Sequence, residues 1–512
     1  MKAKKLIALL LTLVFVAGLS AGMVSANADD VYDIQMQIVT WGNAPDEIAQ
    51  VEEAINAITV PEIGAKVTLD AIPAWELIND SNLKLTSGEK LDLMCVFTFG
   101  QGMDSLANYT SKNMLRPLGE LYEQYGKDIA SVLGDEISLG YIGDTLYAIP
   151  CKANIGAAYG FAARTDYLDA IGIHPEEGKI YSTDELAEVF QAYKDYAGAG
   201  HYALALFGAG TDLYQYFYPL ETLGGTGTNG VLINAGLDGN TTVVNLFETP
   251  EYLEYCNMVK GWFDAGYINP DVNTIADDVT SQLKSGNYLG SISFVYPGSS
   301  AGLINAVGVN FETFYTVAPL ASTTIASQAL WTIPTTCENP EKVMQFLNLL
   351  YQERELADDI ASMLTDGLEG VSYNVVESLG GSKAIIDIAG VPGTWNTWTA
   401  GALFGNTFNV PKMLPNEAGI YDELQAFNDE IVSSGRITDA FGYVFDPSEV
   451  STQVAAVTSV VSQYRGLIGY GAMEAEQVLP EFLSALEDAG INEIIAENQR
   501  QLDLWVAARR AG

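Results

Sequence analysis

The sequence predicts an α/β fold, on three observations. Strand and helix patterns alternate with short connections between residues 33 and 97, the arrangement that builds a mainly parallel sheet flanked by helices. The chain has 512 residues, enough for two to four domains or lobes with large buried cores. Apolar residues make up 48% of it, without repeats or low-complexity tracts, which is the composition of a globular protein.

The elements can be read in order. Ile34, Met36 and Ile38 alternate with polar neighbours, a half-buried strand that ends at Trp41-Gly42-Asn43. Pro45 suits the first turn of the helix that follows. Asp46 and Glu47 suit its positive end, and Ile48, Val51, Ile55 and Ile58 share one face. Residues 66–72 form a second strand, 75–86 a helix and 91–97 a third strand. Open α/β sheets bind ligands beyond the C-terminal ends of their strands, so Trp41 and Phe97-Thr98-Phe99-Gly100-Gln101 should share a rim.

A helical stretch from Asp104 leads to Leu115, and a second helix leads to a hairpin-like run from Tyr141 to Pro150. Residues 157–163 read as a small-residue strand, and Ser182-Thr183-Asp184-Glu185 starts a capped helix. Residues 203–245 are rich in Gly, Tyr and Asn and read as strand and binding loops before a helix over 249–265. A strand spans 288–296, another 330–333, and Pro340 opens a helix with Val343, Phe346, Leu347 and Leu350 inward. The remainder is helical and aromatic-rich.

Residues 1–28 predict a secretory signal peptide. Lys2, Lys4 and Lys5 precede an apolar run over 6–17, too short to span a bilayer, and Ala26 or Ala28 fits a small-residue cleavage site. The formal charge is −41. Without the three leader lysines it is −44, from 21 Lys and Arg against 65 Asp and Glu. So acidic a surface repels phosphate backbones, which argues against a nucleic-acid partner. Cys95, Cys151, Cys256 and Cys337 lie 56, 105 and 81 residues apart, without the close spacing of a zinc or redox site, and read as buried free thiols. His174 and His201 are too few for a His-rich centre. No metal or cofactor is implied.

Several motifs carry a family resemblance. Asn113-Met114-Leu115-Arg116-Pro117-Leu118 precedes Gly143-Asp144-Thr145-Leu146-Tyr147-Ala148-Ile149-Pro150, and Gly266-Tyr267-Ile268-Asn269-Pro270 and Asn339-Pro340-Glu341-Lys342-Val343 follow in order. With Trp41-Gly42 after the first strand, the chain resembles the family 1 extracellular solute-binding proteins of ABC importers. Asp439-Ala440-Phe441-Gly442-Tyr443, Val478-Leu479-Pro480-Glu481-Phe482 and Asn498-Gln499-Arg500-Gln501-Leu502-Asp503 resemble the subgroup with an extra C-terminal helical domain of unknown function.

The resemblance implies a two-lobed, periplasmic-binding-protein-like fold with hinge crossings near Cys151 and again near Ala318 and Cys337, and a helical C-terminal extension. Lobe 1 would comprise residues 31–150 plus 315–350, and lobe 2 residues 152–314 plus 351–512. It further implies a monomeric receptor, secreted or on the outer face of the membrane, that delivers an oligosaccharide to ABC permease subunits. Leu19-Ser20-Ala21-Gly22 is followed by Met23, where acylated members carry cysteine, so the leader lacks a lipidation site.

A sugar presents apolar CH faces and a rim of hydroxyls, so its site needs aromatic platforms beside polar side chains. Trp41, Phe99, Tyr214, Tyr216, Tyr296, Trp395 and Trp398 fall in loops or strand ends rather than in regular apolar periodicity, and the alternative for each is core packing. Trp395-Asn396-Thr397-Trp398 is the sharpest of these. Asn43, Gln101, Asp104, Lys152, Asn154 and Asp212 are the polar candidates. If Lys152 faces the cleft, it favours a carboxylated sugar. Trp75, Trp262, Trp331 and Trp505 read as structural.

Two other classes compete with a receptor: a secreted glycoside hydrolase and a non-transport carbohydrate-binding surface protein. A hydrolase needs two carboxyl groups about 5–9 Å apart across a sugar bond. With 65 acidic residues, pairs such as Glu52-Glu53 or Asp277-Asp278 carry no information. The sequence has no Gly-x-Ser-x-Gly elbow, phosphate loop or His-Glu-x-x-His.

Overall fold

A computed structural model describes residues 31–40, 42–97, 106–207, 212–223, 227–395, 397 and 404–511. The leader and the candidates Trp41, Phe99, Gln101, Asp104 and Trp398 lie outside the described residues.

The first lobe is built on the predicted alternation. Strand Tyr32–Thr40 pairs in parallel with Ala65–Pro73 along its whole length, and helix Ile48–Ile63 connects them. Met36 bridges Leu93 in parallel just before strand Met94–Phe97. The sheet then turns antiparallel, because Ala329–Thr332 returns from the far end of the chain between Met94–Phe97 and Ala148–Pro150. Ile34, Met36, Ile38, Val51, Ile55, Val343, Phe346 and Leu347 meet in one buried core.

The second lobe holds a four-stranded sheet in the order Phe311–Ala321, Gly156–Arg164, Tyr288–Val295, Tyr202–Ala205. Gly156–Arg164 is antiparallel to both neighbours, and only Tyr288–Val295 with Tyr202–Ala205 is a parallel pair. The sheets are therefore mixed rather than mainly parallel. Ser182 forms the expected capping box on helix Thr183–Ala197, with its Oγ accepting from Glu185 N and its N–H donating to Glu185.

Three segments join the lobes; two of them, residues 151–155 and 322–328, each run from a strand of one sheet to a strand of the other. The expected division needs two corrections. Residues 315–321 continue strand Phe311–Ala321 and belong to the second-lobe sheet. Residues 351–410 are not wholly second-lobe, because Tyr351, Ile360, Met363, Leu364, Phe404 and Val410 bury their side chains in the first-lobe core. The chain returns to the second lobe through helix Ile420–Ser433, where Arg436 Nε donates to Pro319 O at 2.7 Å.

The C-terminal helices Ser451–Ile468, Ala475–Asp488 and Ile491–Ala511 pack into the second lobe, burying Val457, Phe482, Leu486 and Leu502 with Tyr252, Val259 and Phe247. All four cysteines are buried and none is in a disulfide. Burial pushes Cys151 up to about 12, so it stays a protonated core side chain. Among the described residues, no helix is long and apolar enough to cross a membrane. Trp262 and Trp331 are core residues as expected, but Trp75 is 65% exposed.

Candidate ligand cleft

Two adjoining cavities open where the lobes meet. The larger, of about 220 Å³, is walled by Phe294, Tyr296 and Gly298 of the second lobe, Asn154 and Gln328 of the two connections, Thr365 and Asp366 of the first lobe, and Thr407, Lys412 and Leu424. The smaller, of about 180 Å³, is walled by Ser372, Ile388, Val391, Trp395 and Thr397. Thr365, Asp366 and Met413 border both, so Asp366 stands where they meet.

Asp366 is the last residue of helix Ile360–Asp366, whose face of Ile360, Met363 and Leu364 is fixed in the first-lobe core. The chain turns at once through Gly367, with φ +81°. A Cβ there would lie 2.2 Å from Ser372 Oγ and 3.1 Å from the Trp395 ring, so glycine lets the tryptophan pack against the helix end. Among the described residues no donor reaches the Asp366 carboxylate, and its Oδ2 is sealed from solvent without a partner. Burial pushes this acid up to about 7, against the pull of nearby Lys412.

Lys412 begins strand Lys412–Met413, which pairs in parallel with Lys383–Asp387. Its ammonium donates to Thr407 O at 2.8 Å. Burial pushes it down to about 8, with Asp366 opposing.

Trp395 is held by a residue that the sequence reading assigned only to a helix end. Glu47, 2% exposed, accepts hydrogen bonds from Trp395 N (2.8 Å), Thr394 N (2.9 Å), Thr394 Oγ1 (3.1 Å) and Ser372 Oγ (3.0 Å). Burial raises this acid, but the converging donors outweigh it and hold Glu47 below the usual carboxylate range. The indole Nε1 donates to Leu364 O at 3.2 Å, which fixes the ring beside Asp366. Thr397 bridges Thr40, the end of the first strand, and so ties this loop to the sheet.

The predicted residues divide. Tyr296 and Asn154 line the larger cavity and Trp395 the smaller. Asn154 Oδ1 accepts from Asn428 Nδ2 at 3.0 Å, and Asn428 Oδ1 accepts from Ile155 N at 2.8 Å, so this connection is braced by helix Ile420–Ser433. Burial pushes the Tyr296 hydroxyl up to about 12, so it stays protonated.

Five other predicted residues do not meet there. Lys152 pairs with Glu136, and neither borders the cavities. The cation that suggested an acidic sugar is thus already compensated. Asp212 accepts from Arg465 Nε at 2.5 Å within the second lobe, beside the buried Tyr252 and Tyr255. Tyr214 is wholly buried, stacked on Tyr218 at 5.0 Å, and Tyr216 packs edge-on to Tyr159 at 5.6 Å. Asp212 and Tyr214 pack with residues of the C-terminal helices, and Tyr216 packs on an inner strand of the second-lobe sheet. Asn43 is exposed on the loop after the first strand and lines neither cavity. Sequence reasoning missed Asp366, Lys412, Gln328 and Glu47.

Residues 45–378 match the family described as bacterial extracellular solute-binding protein. The chain belongs to that family. Residues 439–507 match a domain of unknown function, DUF3502. A carbohydrate ABC transporter substrate-binding protein of Streptococcus pneumoniae is 24% identical over 476 residues, which cover 92% of this chain and 90% of that one. Among solved structures, the N-glycan transport solute binding protein NgtS of S. pneumoniae in complex with Man5GlcNAc aligns with a TM-score of 0.73 at 21% identity, over 93% of this chain and 99% of that one. The alginate-binding protein AlgQ2 aligns with a TM-score of 0.65 at 15% identity, over 94% and 100%. Both have the two-lobed solute-binding fold.

Proposed function

We propose that this solute-binding protein captures an oligosaccharide between its lobes and delivers it to the membrane subunits of an ABC importer. The observation that carries the reading is the pair of adjoining cavities at the lobe junction, with the undonated carboxylate of Asp366 between an aromatic wall at Tyr296 and another at Trp395. Stacking faces beside an unsatisfied acceptor suit a ligand with apolar faces and a rim of hydroxyls. The names printed for its relatives, a carbohydrate transporter receptor and an N-glycan receptor, support the same class.

In this reading the lobes comprise residues 31–150 with 329–410, and 156–321 with 420–512. The ligand touches both and favours the closed arrangement by the contacts it gains there. In this reading the site binds without turnover, as the binding-protein names printed for its relatives suggest. The protein acts outside the cytoplasmic membrane as a monomer, exported by residues 1–28. Thermal-shift screening with oligosaccharides, followed by chromatography of the same mixtures, tests this. A bound sugar raises the melting temperature and is recovered unchanged. Failure of every sugar to shift the melt, or cleavage of one, would overturn the reading.

A further inference from the structure

Asp366 and Lys412 are the charged groups among the described residues that wall the larger cavity, and the smaller adds none. They reach it from different elements, a helix end of the first-lobe core and a short strand paired with Lys383–Asp387. No ion pair within 4.0 Å joins them. Lys412 spends one N–H on Thr407 O and keeps two others, while the Asp366 carboxylate receives no hydrogen bond among the described residues. One acceptor and one donor of opposite charge therefore stand apart in the same wall with capacity to spare.

We infer that this wall selects an uncharged saccharide and reads neighbouring hydroxyls on it, one donating to Asp366 and one accepting from Lys412; the inference rests on the cleft reading above. A hydroxyl both donates and accepts, so a sugar satisfies the two groups without bringing a new charge into the cavity. A carboxylated sugar meets Asp366 as a like charge. Among the described wall residues Lys412 is the one cation, it is offset by Asp366 in the same wall, and Lys152 is engaged by Glu136, so no further cation offsets an added carboxylate. A cationic ligand meets Lys412 in the same way. The strongly acidic chain as a whole adds to the penalty for an anion.

Titration calorimetry on the full chain tests this, with cellotriose, maltotriose and mannotriose and the same three sugars oxidised at their primary hydroxyls to uronic acids. At least one neutral sugar binds, and its acidic form binds at least 100-fold more weakly. Asp366→Asn weakens the neutral sugar at least 30-fold and shrinks the discrimination below tenfold, whereas a merely structural role would leave that ratio unmoved. Lys412→Met weakens the neutral sugar as well and keeps the acidic form excluded. An acidic form that binds as tightly as its parent, or an unchanged ratio in Asp366→Asn, overturns the charge selection while leaving the cleft reading in place. If none of the six sugars binds, and a wider neutral set also fails, the cleft reading falls and this inference with it.

Discussion

Two clusters in this protein combine a carboxylate with aromatic rings, and they have opposite fates. Around Asp212, the rings of Tyr214, Tyr252 and Tyr255 close in, Arg465 supplies the counter-charge and Tyr214 N donates at 3.2 Å. Around Asp366, Trp395 and Tyr296 line the cavities, Lys412 is outside ion-pair distance and no donor arrives among the described residues. In the first cluster the carboxylate is paired, though the Tyr214 hydroxyl is buried without a partner among the described residues, and the Asp212–Arg465 pair fastens a C-terminal helix to the second lobe. The second is complete only when something fills it. Residue type does not separate binding from packing here; a paired carboxylate in a filled core and an unpaired one beside a cavity do.

Breaking each cluster should therefore move a different observable. The largest effect is expected for Arg465→Met, which leaves Asp212 buried without its partner. Chemical denaturation should show a loss of about 3–5 kcal/mol, with sugar affinity unchanged within about twofold. Trp395→Ala should reverse the pattern, with affinity about tenfold lower, roughly 1.4 kcal/mol, and little change in stability.

Glu47→Gln sharpens the comparison, since Glu47 touches neither cavity. It should weaken binding roughly threefold to tenfold by loosening the Thr394–Trp395 loop, and should alter Trp395 fluorescence in the unliganded protein. Wild-type affinity with normal fluorescence would show that Trp395 needs no such support.

The smallest expected effect is on pH dependence. Asp366 is raised to about 7, so between the ordinary carboxylate range and pH 7 the folded protein holds a proton that the unfolded chain has released. That contribution to stability is full below about pH 4 and fades as pH rises through 7. Glu221, whose carboxylate accepts from Thr323 N on the second connection, is raised to about 7 by burial and adds the same sign. Asp366→Asn should flatten the decline in melting temperature between pH 5 and 8. Ligand hydroxyls favour the ionised form, so affinity should rise over the same interval, with proton release in calorimetry. A flat profile would contradict a hydroxyl donated to this carboxylate.

Much of this architecture was legible in the sequence. The alternation of Ile34, Met36 and Ile38, the capping box at Ser182 and the apolar face after Pro340 are local patterns, and local structure followed them. The connection after Cys151 was legible too, because a hairpin-like run ends at Pro150 before a small-residue strand. What sequence could not supply was partnership at a distance. Asp212 looked like a loop carboxylate beside tyrosines because its arginine lies 253 residues away. Glu47 looked like a charge at a helix start because the amides it holds lie 347 and 348 residues on. Asp366 gave no signal, since an acid at a helix end before glycine is ordinary until the fold removes its donors. The first-lobe share of 351–410 is illegible in sequence for the same reason: only the first-lobe core shows where Ile360 and Leu364 go.

A crystal structure of the full chain with a bound neutral oligosaccharide tests the central claim most directly. The account predicts sugar density at the lobe junction between Tyr296 and Trp395, with a hydroxyl about 2.6–2.8 Å from the Asp366 carboxylate and another within hydrogen-bond reach of Lys412. Sugar bound elsewhere, with Asp366 still undonated, would contradict it.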